Sequence, residues 1–238
     1  MTSDRHAVLV FADAAVLDCA HRGWPRALAP LLKCNDYSSW SNLGFDVHVF
    51  TTVGSDAPCA TPGTVHAQRG DSFGERLEDA VETLSDLCYT KVVIVGSDCP
   101  DLRPQDIQEA FSALQGSQLV LGPDHRGGCY LIGFNIEDRW RLRGIQWRRN
   151  TDFDELLNRF GFENSWQLPV KIDLDTWEDV RLLAKSASFW RHTAAALLLS
   201  FRSYPSFTPS TIQLRTSEQR IRWQLPPPFP HAVLPPIP

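Results

Sequence analysis

Short apolar runs alternate with amphipathic stretches along most of the chain. Continuous runs rich in Val, Ile and Leu predict strands that are buried on both faces, as in parallel sheets, whereas strict alternation predicts a strand with one buried face. Seven strands are predicted in this way, at 7–12, 46–53, 65–68, 92–95, 118–122, 130–134 and 167–172.

Apolar residues recur at helical spacing between these strands. Helices are predicted at about 73–84, 104–114, 152–160 and from 176 onward, and the polar stretch 34–44 predicts one or two irregular turns. Strands that alternate with helices define an α/β fold. We therefore expect a three-layer αβα domain, in which helices cover both faces of a mostly parallel (mixed) Rossmann-like sheet.

The strand at 92–95 ends in a polar segment that carries two carboxylates, Asp98 and Asp101. Ligands of open α/β sheets bind at this carboxyl edge. Asp98 follows the strand too closely to cap the next helix, so its carboxylate has to be solvated, paired or bound to a cation. Asp101 is explained equally well as a turn former or helix cap. We expect Asp98 to be a functional residue.

A second pair of acids, Asp173 and Asp175, follows the predicted strand at 167–172. Alternate side chains of an extended segment point to the same side, which suits a hydrated divalent cation. Asp175 could equally cap the next helix. We expect the strands at 92–95 and 167–172 to be parallel neighbours or near neighbours, so that Asp98 and Asp173 share one cleft. Because two such carboxylates repel, Asp98→Asn should leave the protein without ligand at least as stable.

Composition narrows the classes of function. The formal net charge is −5 at pH 7 and no run of Lys and Arg occurs, which argues against a nucleic-acid surface. No apolar stretch reaches the length of a membrane span, and the N-terminus shows no cleavable signal pattern. The six cysteines form no C-x-x-C pair, a pattern typical of reduced thiols. We therefore expect a cytoplasmic protein.

Three segments resemble the DUF2064 family in their order and spacing: VVIVGSDCPDL (92–102), VLGPDHRGGCYLIGF (120–134) and KIDLDTWEDVRLL (171–183). That family looks like a glycosyltransferase-A-fold relative of nucleotide-diphospho-sugar transferases, and more distantly of the molybdenum-cofactor and phospholactate guanylyltransferases. The resemblance covers about 7–187 and is strongest at 68–134. It implies a nucleotide-diphospho-sugar transferase-like domain over 1–188.

The resemblance also implies a metal-dependent transfer reaction. Mg²⁺ or Mn²⁺ would neutralise a diphosphate leaving group, with Asp98 and Asp173 as catalytic acids and with Asp98, Asp173 and Asp175 as metal ligands. The residues expected to bind the nucleotide or donor are Ala12, Asp13, Arg22, Arg26, Gly70, Asp71, Ser97, Gly127 and Gly128.

Two groups of these donor-binding candidates have structural explanations as well. Gly70 and Asp71 belong to a family-like signature, Gln-x-Gly-Asp-x-x-Gly-Glu-Arg, which also reads as a capped helix with Ser72 and Glu75 in capping-box spacing. Gly127 and Gly128 precede a strand, where paired glycines either let the backbone approach a ligand or form a plain turn.

The chain departs from the family pattern at two places. The loop after the first strand lacks the usual Lys-Thr-Arg-Leu cluster and has Asp13 where a lysine is common, which leaves Arg22 and Arg26 as its cations. Arg126 stands where the family commonly has Asp, and Asp124 lies two residues away as a possible substitute. These departures remove a charge-assisted phosphate contact and invert the charge near the glycine pair.

Three functions are compatible with these observations. The leading hypothesis is a metal-dependent transferase with a nucleotide-activated donor, most simply a sugar nucleotide. The first alternative is nucleotidyl transfer from an NTP, which a basic Gly-rich first loop would favour. The second alternative is a catalytically silent family member that acts as a binding or scaffold protein, which the departures at Asp13 and Arg126 favour.

Residues 189–238 lie outside the resemblance. They predict a helix at 189–201, a possible hairpin formed by 211–215 and 220–225, and an extended tail rich in proline and apolar residues. Such a tail suits docking, either as a strap over its own subunit or on a partner, so we expect the protein not to be a simple monomer, with a homodimer through this extension as one form.

Overall fold

The computed structural model describes residues 4–12, 15–24, 40–52 and 63–183 of the 238-residue chain. The chain divides into two units, Met1–Tyr204 and Pro205–Pro238, and all described residues belong to the first. The predicted helix, hairpin and tail of 189–238, and with them the predicted homodimer, lie outside the described residues. So do most of the irregular turns predicted at 34–44.

The described part contains seven strands and five α-helices. The strands are β1 His6–Phe11, β2 Asp46–Thr51, β3 Thr64–Ala67, β4 Lys91–Val95, β5 Leu119–Pro123, β6 Cys129–Asn135 and β7 Ser165–Gln167. The helices are α1 Ala15–His21, α2 Phe73–Asp86, α3 Pro104–Ala113, α4 Asp152–Phe160 and α5 Trp177–Leu183, with 3₁₀ turns at Ile136–Leu142 and Phe162–Asn164.

The strands form one sheet in the order β3-β2-β1-β4-β6-β5-β7. β6 is antiparallel to its neighbours β4 and β5, and the other pairs are parallel. Because β4 and β5 therefore point the same way, their carboxyl ends lie at the same edge. The predicted mostly parallel, mixed sheet is confirmed.

Two apolar clusters cover the two faces of the sheet. One packs α2 and α4 against it through residues such as Leu77, Leu84 and Leu156, and the other packs α3 through Ile107 and Phe111. The four apolar residues 92–95 of β4 are buried, as their continuous pattern predicted, and Lys91 is buried as well. Burial of each such side chain contributes about 1.5–3 kcal/mol. The three-layer αβα arrangement is confirmed.

The predicted last strand at 167–172 is wrong in its bounds. β7 comprises only Ser165–Gln167, at the end of the sheet. Pro169 has no N–H to donate to a ladder, so regular pairing stops before it. The segment after β7 instead runs along the sheet edge, where the N–H of Leu168 donates to the carbonyl of Leu121 at 2.8 Å and that of Lys171 to Pro123 at 3.1 Å.

None of the helices in the described ranges has the length and apolar character that a membrane crossing requires.

Candidate functional site

A cleft of about 380 Å³ opens at the carboxyl edge of the sheet, within the size range of small-molecule sites. The ends of β1 and β4, the β5–β6 turn and the start of α2 form its walls. Its polar lining is Asp18, Arg22, Gln68, Arg76, Ser97, Asp98, Asp124, Arg126, Arg148, Asn150, Asp152, Asp173 and Asp175. Position alone therefore marks this cleft as the candidate site.

Asp98 and Asp173 both line this cleft, although 75 positions separate them in sequence. The N–H of Leu174 donates to the carbonyl of Asp98 at 2.8 Å, which ties the two acidic segments together. The expected route was wrong, because β6 and β5 lie between β4 and β7. The extended segment after β7 crosses the ends of these strands and delivers Asp173 to the end of β4.

Asp173 is one of the buried acids of the cleft, with a residue exposure of 8%. Its Oδ1 atom is buried and has no hydrogen-bond partner among the described residues. Burial raises the pKa of Asp173 well above its ordinary value, and the charges of Asp98, Asp124 and Asp175 raise it further. The Oδ1 atom therefore lacks the hydrogen bond that a buried polar atom requires.

Arg22 lies among the other acids of the cleft. It follows α1, and its guanidinium contacts Asp98 Oδ2 at 2.8 Å, Asp18 Oδ1 at 3.4 Å and Asp175 Oδ1. Its side chain is 8% exposed. Burial lowers the pKa of Arg22, but the charges of Asp98, Asp18 and Asp175 outweigh burial and hold the pKa above its ordinary value. The guanidinium is therefore held by carboxylates and does not face open solvent.

Arg126 binds the other oxygen of Asp175. Its Nη2 contacts Asp175 Oδ2 and its Nη1 lies 3.4 Å from Asp179 Oδ2, whereas its buried Nε has no partner within the described part of the chain. The change from Asp to Arg at this position thus adds a cation that pairs with the second acid of the Asp173–Asp175 motif. Asp124 lies beside it in the cleft, 8% exposed.

Capping of α5 does not explain Asp175. Thr176 and Asp179 form the cap: Asp179 Oδ2 accepts from the N–H of Thr176 at 2.6 Å, and the N–H of Asp179 donates to the Thr176 hydroxyl at 3.3 Å. Asp179 Oδ2 also accepts from the N–H of Asp175 at 3.0 Å. The capping alternative for Asp175 is therefore wrong, and its carboxylate is left for the two arginines.

The first loop is described in part. Ala12 and Ser97 line the cleft as expected, and both are 4% exposed. The carbonyl of Ala12 accepts from Gln68 Nε2 at 3.3 Å. Asp13 and Arg26 lie outside the described residues, so their predicted donor contacts stay predictions.

The signature that begins at Gln68 divides into two parts. Gln68 and Arg76 line the cleft and bind each other, with Arg76 Nε donating to Gln68 Oε1 at 3.1 Å. Gly70 and Asp71 do not lie in the described lining. The N–H of Asp71 donates to Glu75 Oε2 at 2.8 Å, within the predicted capping box of α2. The structural explanation therefore accounts for this half of the signature.

The glycine pair forms the turn between β5 and β6. Asp124 Oδ1 accepts from the N–H groups of Arg126 at 2.6 Å and Gly128 at 2.9 Å, and Gly128 lines the cleft. Gly127 has φ +97°, and a Cβ there would lie 2.4 Å from the Asn150 carbonyl oxygen. Gly127 thus allows a close approach to the chain itself, and the turn holds Asp124 and Arg126 in place.

Gly127→Ala is therefore expected to lower the free energy of unfolding by about 3 kcal/mol, because it adds both backbone strain and a clash with backbone. Gly116→Ala is the matched control, since no atom lies within 4 Å of a Cβ there and its φ is not positive. Urea unfolding of both variants measures the difference. Equal stability of the two would show that the turn relaxes without cost.

Several lining residues were not predicted from the sequence. Asp18 and Arg22 are four positions apart, the spacing at which side chains of a helix meet. This spacing could have predicted that Asp18 lies beside Arg22. The Thr176-x-x-Asp179 spacing likewise signalled the cap of α5. Trp147 and Arg148 come from the loop before α4, and Trp147 Nε1 is buried without a partner among the described residues. No local pattern indicated that this loop reaches the cleft.

The acids fit a divalent cation in their chemistry, because carboxylate oxygens are its preferred ligands and Asp173 Oδ1 is buried without a partner. Within the described ranges, however, no group of three or more His, Cys, Asp or Glu side chains is arranged to hold a metal ion. A cation here would thus need ligands from a substrate as well. Mg²⁺ sites of this kind commonly combine one or two carboxylates with substrate phosphates and water.

Comparison with solved structures defines the class of fold. A protein from Desulfovibrio desulfuricans G20, assigned as a nucleotide-diphospho-sugar transferase, superposes with TM-score 0.65 at 25% identity, over 83% of this chain and 95% of that one. The described domain thus has the nucleotide-diphospho-sugar transferase fold. Within this class, the DUF2064 family, described as uncharacterized proteins conserved in bacteria, matches residues 44–149 and confirms the resemblance.

Two further structures share the fold. Rv0371c of Mycobacterium tuberculosis H37Rv, in complex with manganese, superposes with TM-score 0.54 at 16% identity, over 77% of this chain and 100% of that one. The 4-diphosphocytidyl-2C-methyl-D-erythritol synthase of Anaerococcus prevotii DSM 20548 gives TM-score 0.55 at 10% identity, over 75% and 96%. No curated protein matches the chain in sequence.

Proposed function

We propose that this protein is a metal-dependent transferase that uses a nucleotide-activated donor, most simply a sugar nucleotide. The observation that carries the proposal is the buried Asp173 carboxylate, whose Oδ1 has no described partner, beside Asp98 at the carboxyl edge of the sheet. A divalent cation supplies what this oxygen lacks, and the diphosphate of a donor supplies ligands that the protein does not.

The charge balance of the cleft supports a cationic ligand. Six carboxylates and four guanidinium groups belong to its described lining. The lining therefore holds two more carboxyl groups than guanidinium groups, an excess of negative charge that one divalent cation would balance when all six acids are ionised. Such neutralisation matters most in a partly buried cleft, where water screens the repulsion between carboxylates less well.

In the proposed site Asp98 and Asp173 hold the cation, and Asp175 joins them when its arginine partners release it. The bound cation would supply charge neutralisation at the diphosphate leaving group. Arg126 and Arg148 line the same cleft, and guanidinium groups bind phosphate oxygens in a two-pronged manner. We assign these two arginines to orienting the donor, while Ala12 and Ser97 line the cleft beside the end of β4.

Two relatives are consistent with the proposal. The Desulfovibrio desulfuricans protein is assigned as a nucleotide-diphospho-sugar transferase, and Rv0371c was solved with manganese. The expected partner is therefore a small nucleotide-activated donor, and no nucleic acid is expected. A cytoplasmic location stays a prediction.

Asp98→Asn tests the proposal. It should weaken metal-dependent donor binding by about 1–3 kcal/mol, because it removes one charged ligand of the cation. The measurement is calorimetric titration of a panel of sugar nucleotides and NTPs, with and without Mn²⁺. Asp101→Asn is the matched control, since Asp101 lies three positions away and outside the described lining of the cleft. Tight donor binding that does not depend on Mn²⁺ and is unchanged in Asp98→Asn would exclude this mechanism.

The second candidate function is a catalytically silent binding protein. The observation that favours it is the pairing of Asp175 with both Arg22 and Arg126, which occupies the acids without any metal. This candidate predicts no Mn²⁺-dependent binding of any donor to the wild-type protein. The same panel separates nucleotidyl transfer, for which NTPs should bind in place of sugar nucleotides.

A further inference from the structure

Oxygen atoms surround the guanidinium of Arg22 in the cleft. Its donors point to carboxylate oxygens of Asp18, Asp98 and Asp175 and to the carbonyl oxygen of Leu174. We infer that the Arg22 guanidinium is a built-in counter-ion, which occupies a latent divalent-cation site formed by Asp98, Asp173 and Asp175 and is exchanged for the metal when the donor binds.

The environment of Arg22 consists of the ligands that hard cations prefer. Carboxylate and backbone carbonyl oxygens are the usual ligands of Mg²⁺ and Mn²⁺ in proteins. Arg22 Nη2 lies 2.8 Å from Asp98 Oδ2, and Nη1 contacts both Asp175 Oδ1 and the Leu174 carbonyl. A guanidinium is planar and wider than a metal ion, so it holds these oxygens further apart than a metal would. With Arg22 in place, these acids therefore do not have the spacing of a preformed metal site.

Asp173 is an independent observation that points to a cation as ligand. Its carboxylate is 8% exposed, lines the cleft and faces the charges of Asp98 and Asp175, yet its Oδ1 has no partner among the described residues. Arg22 makes no contact with it in the structure, as Asp18, Asp98, Asp175 and Leu174 engage its donors. Arg22 therefore neutralises Asp18, Asp98 and Asp175 and leaves the buried Asp173 for another cation.

The exchange has a physical route. Arg22 follows α1 on a long side chain, and the Trp24 ring lies 5.7 Å from its guanidinium carbon, close enough for a cation–π contact. A donor diphosphate would bring new anionic oxygens to the cleft, which a displaced guanidinium can bind. Metal and donor would then bind together. The metal would neutralise the acids that Arg22 leaves, and the donor diphosphate would pair with the displaced guanidinium.

The inference rests on the proposed function for the identity of the ligand, but its test uses Mn²⁺ alone. Arg22→Gln should bind Mn²⁺ at least 10-fold more tightly than the wild-type protein, because the acids lose their resident cation. Calorimetry and the loss of the free Mn²⁺ signal in electron paramagnetic resonance measure this affinity without nucleotide. Equal affinity of Arg22→Gln and wild type overturns the inference.

Arg139→Gln is the matched control. Arg139 also pairs with a carboxylate, with its Nε 2.7 Å from Glu82 Oε2, but it lies outside the described lining of the cleft. Its replacement should leave Mn²⁺ affinity as in the wild type, and an equal gain there would overturn the inference by showing that any loss of positive charge suffices.

A second variant provides the test if Arg22→Gln does not fold. Arg22→Lys keeps the charge but offers a compact ammonium with three donors, which cannot span three carboxylates as a guanidinium does. It should bind Mn²⁺ about threefold or more tighter than wild type, and an unchanged affinity overturns the inference. Arg22→Lys decides the inference when Arg22→Gln does not fold, and when both variants fold, both must gain affinity. Such a gain supports the inference even if no donor binds to the wild-type protein, because the absence of donor binding would exclude only the proposed function.

Discussion

Replacement of Asp179 by Asn is expected to lower the free energy of unfolding by about 3 kcal/mol, the cost of removing one partner from a buried ion pair. Asp179 is 1% exposed and lies 3.1 Å from His125 Nε2 and 3.4 Å from Arg126 Nη1. Its carboxylate also accepts from the N–H groups of Asp175 and Thr176. Asn keeps the size of the side chain but presents an NH₂ group where only an acceptor fits.

The same replacement should disturb the cleft, because Asp179 holds the backbone of Asp175 and the guanidinium of Arg126 in place. Urea unfolding followed by circular dichroism measures the stability. Asp154→Asn, at an exposed acid in the first turn of α4, is the control and should change stability by less than about 1 kcal/mol. A loss for Asp179→Asn no larger than for Asp154→Asn would contradict the assigned role.

Asp173→Asn is expected to have the opposite effect on stability while removing metal-dependent donor binding. In the protein without ligand, the change removes a buried carboxyl group whose Oδ1 has no partner among the described residues and which faces three other acids, so the free energy of unfolding should rise by about 1–3 kcal/mol. Calorimetric titration should then find the donor affinity reduced at least as much as in Asp98→Asn. Few residues combine a gain in stability with a loss of binding, and the combination is typical of a functional site.

Asp98→Asn provides the contrast. Asp98 is paired with Arg22 at 2.8 Å, so its replacement leaves a buried guanidinium with one carboxylate fewer and should destabilise the protein. From the sequence we expected Asp98→Asn to remove repulsion between carboxylates. In the structure it is Asp173→Asn that removes this repulsion. Stabilisation by Asp98→Asn together with destabilisation by Asp173→Asn would show that the charges are distributed in another way.

The gain in unfolding free energy that Asp173→Asn produces should also depend on pH. Because burial raises the pKa of Asp173, the folded protein holds the proton more tightly than the unfolded chain does. Wild-type stability therefore falls as pH rises above about 4, the ordinary pKa of an aspartate, toward the pKa of the folded state. Asn carries no such proton, so the gain in unfolding free energy should grow between pH 4 and pH 7. Denaturant titrations at several pH values measure this trend.

Much of the fold could be predicted from local patterns. The apolar run at 92–95, the capping box of Ser72 and Glu75, and the helix at 152–160 all appear in the structure as β4, α2 and α4. These features depend on interactions between residues close in the chain, which the spacing of apolar and polar positions records directly. The strand predicted at 167–172 has the wrong bounds for a reason that is also local, because Pro169 interrupts the pairing.

The candidate site could be predicted in part. The cleft is lined by Asp98, Asp173, Asp175, Ala12, Ser97, Arg22 and Gly128, whereas Gly70, Asp71 and Gly127 do not belong to its described lining. Asp18, Arg76 and Trp147 were missed, because their place in the cleft depends on how α1, α2 and the loop before α4 pack on the sheet. Spacing along the chain carries little information about such contacts.

The sequence by itself determined the class of fold, the position of acids at the ends of strands and the resemblance to DUF2064. Only the tertiary structure decided which charges neutralise one another. From sequence, Arg126 only inverts the charge near the glycine pair, whereas in the structure it binds Asp175 across 49 positions and Arg22 reaches Asp98 across 76. The physical reason is that the energy of a charge depends on its distance from other charges and on its burial, and both are set by the path of the chain across the sheet edge.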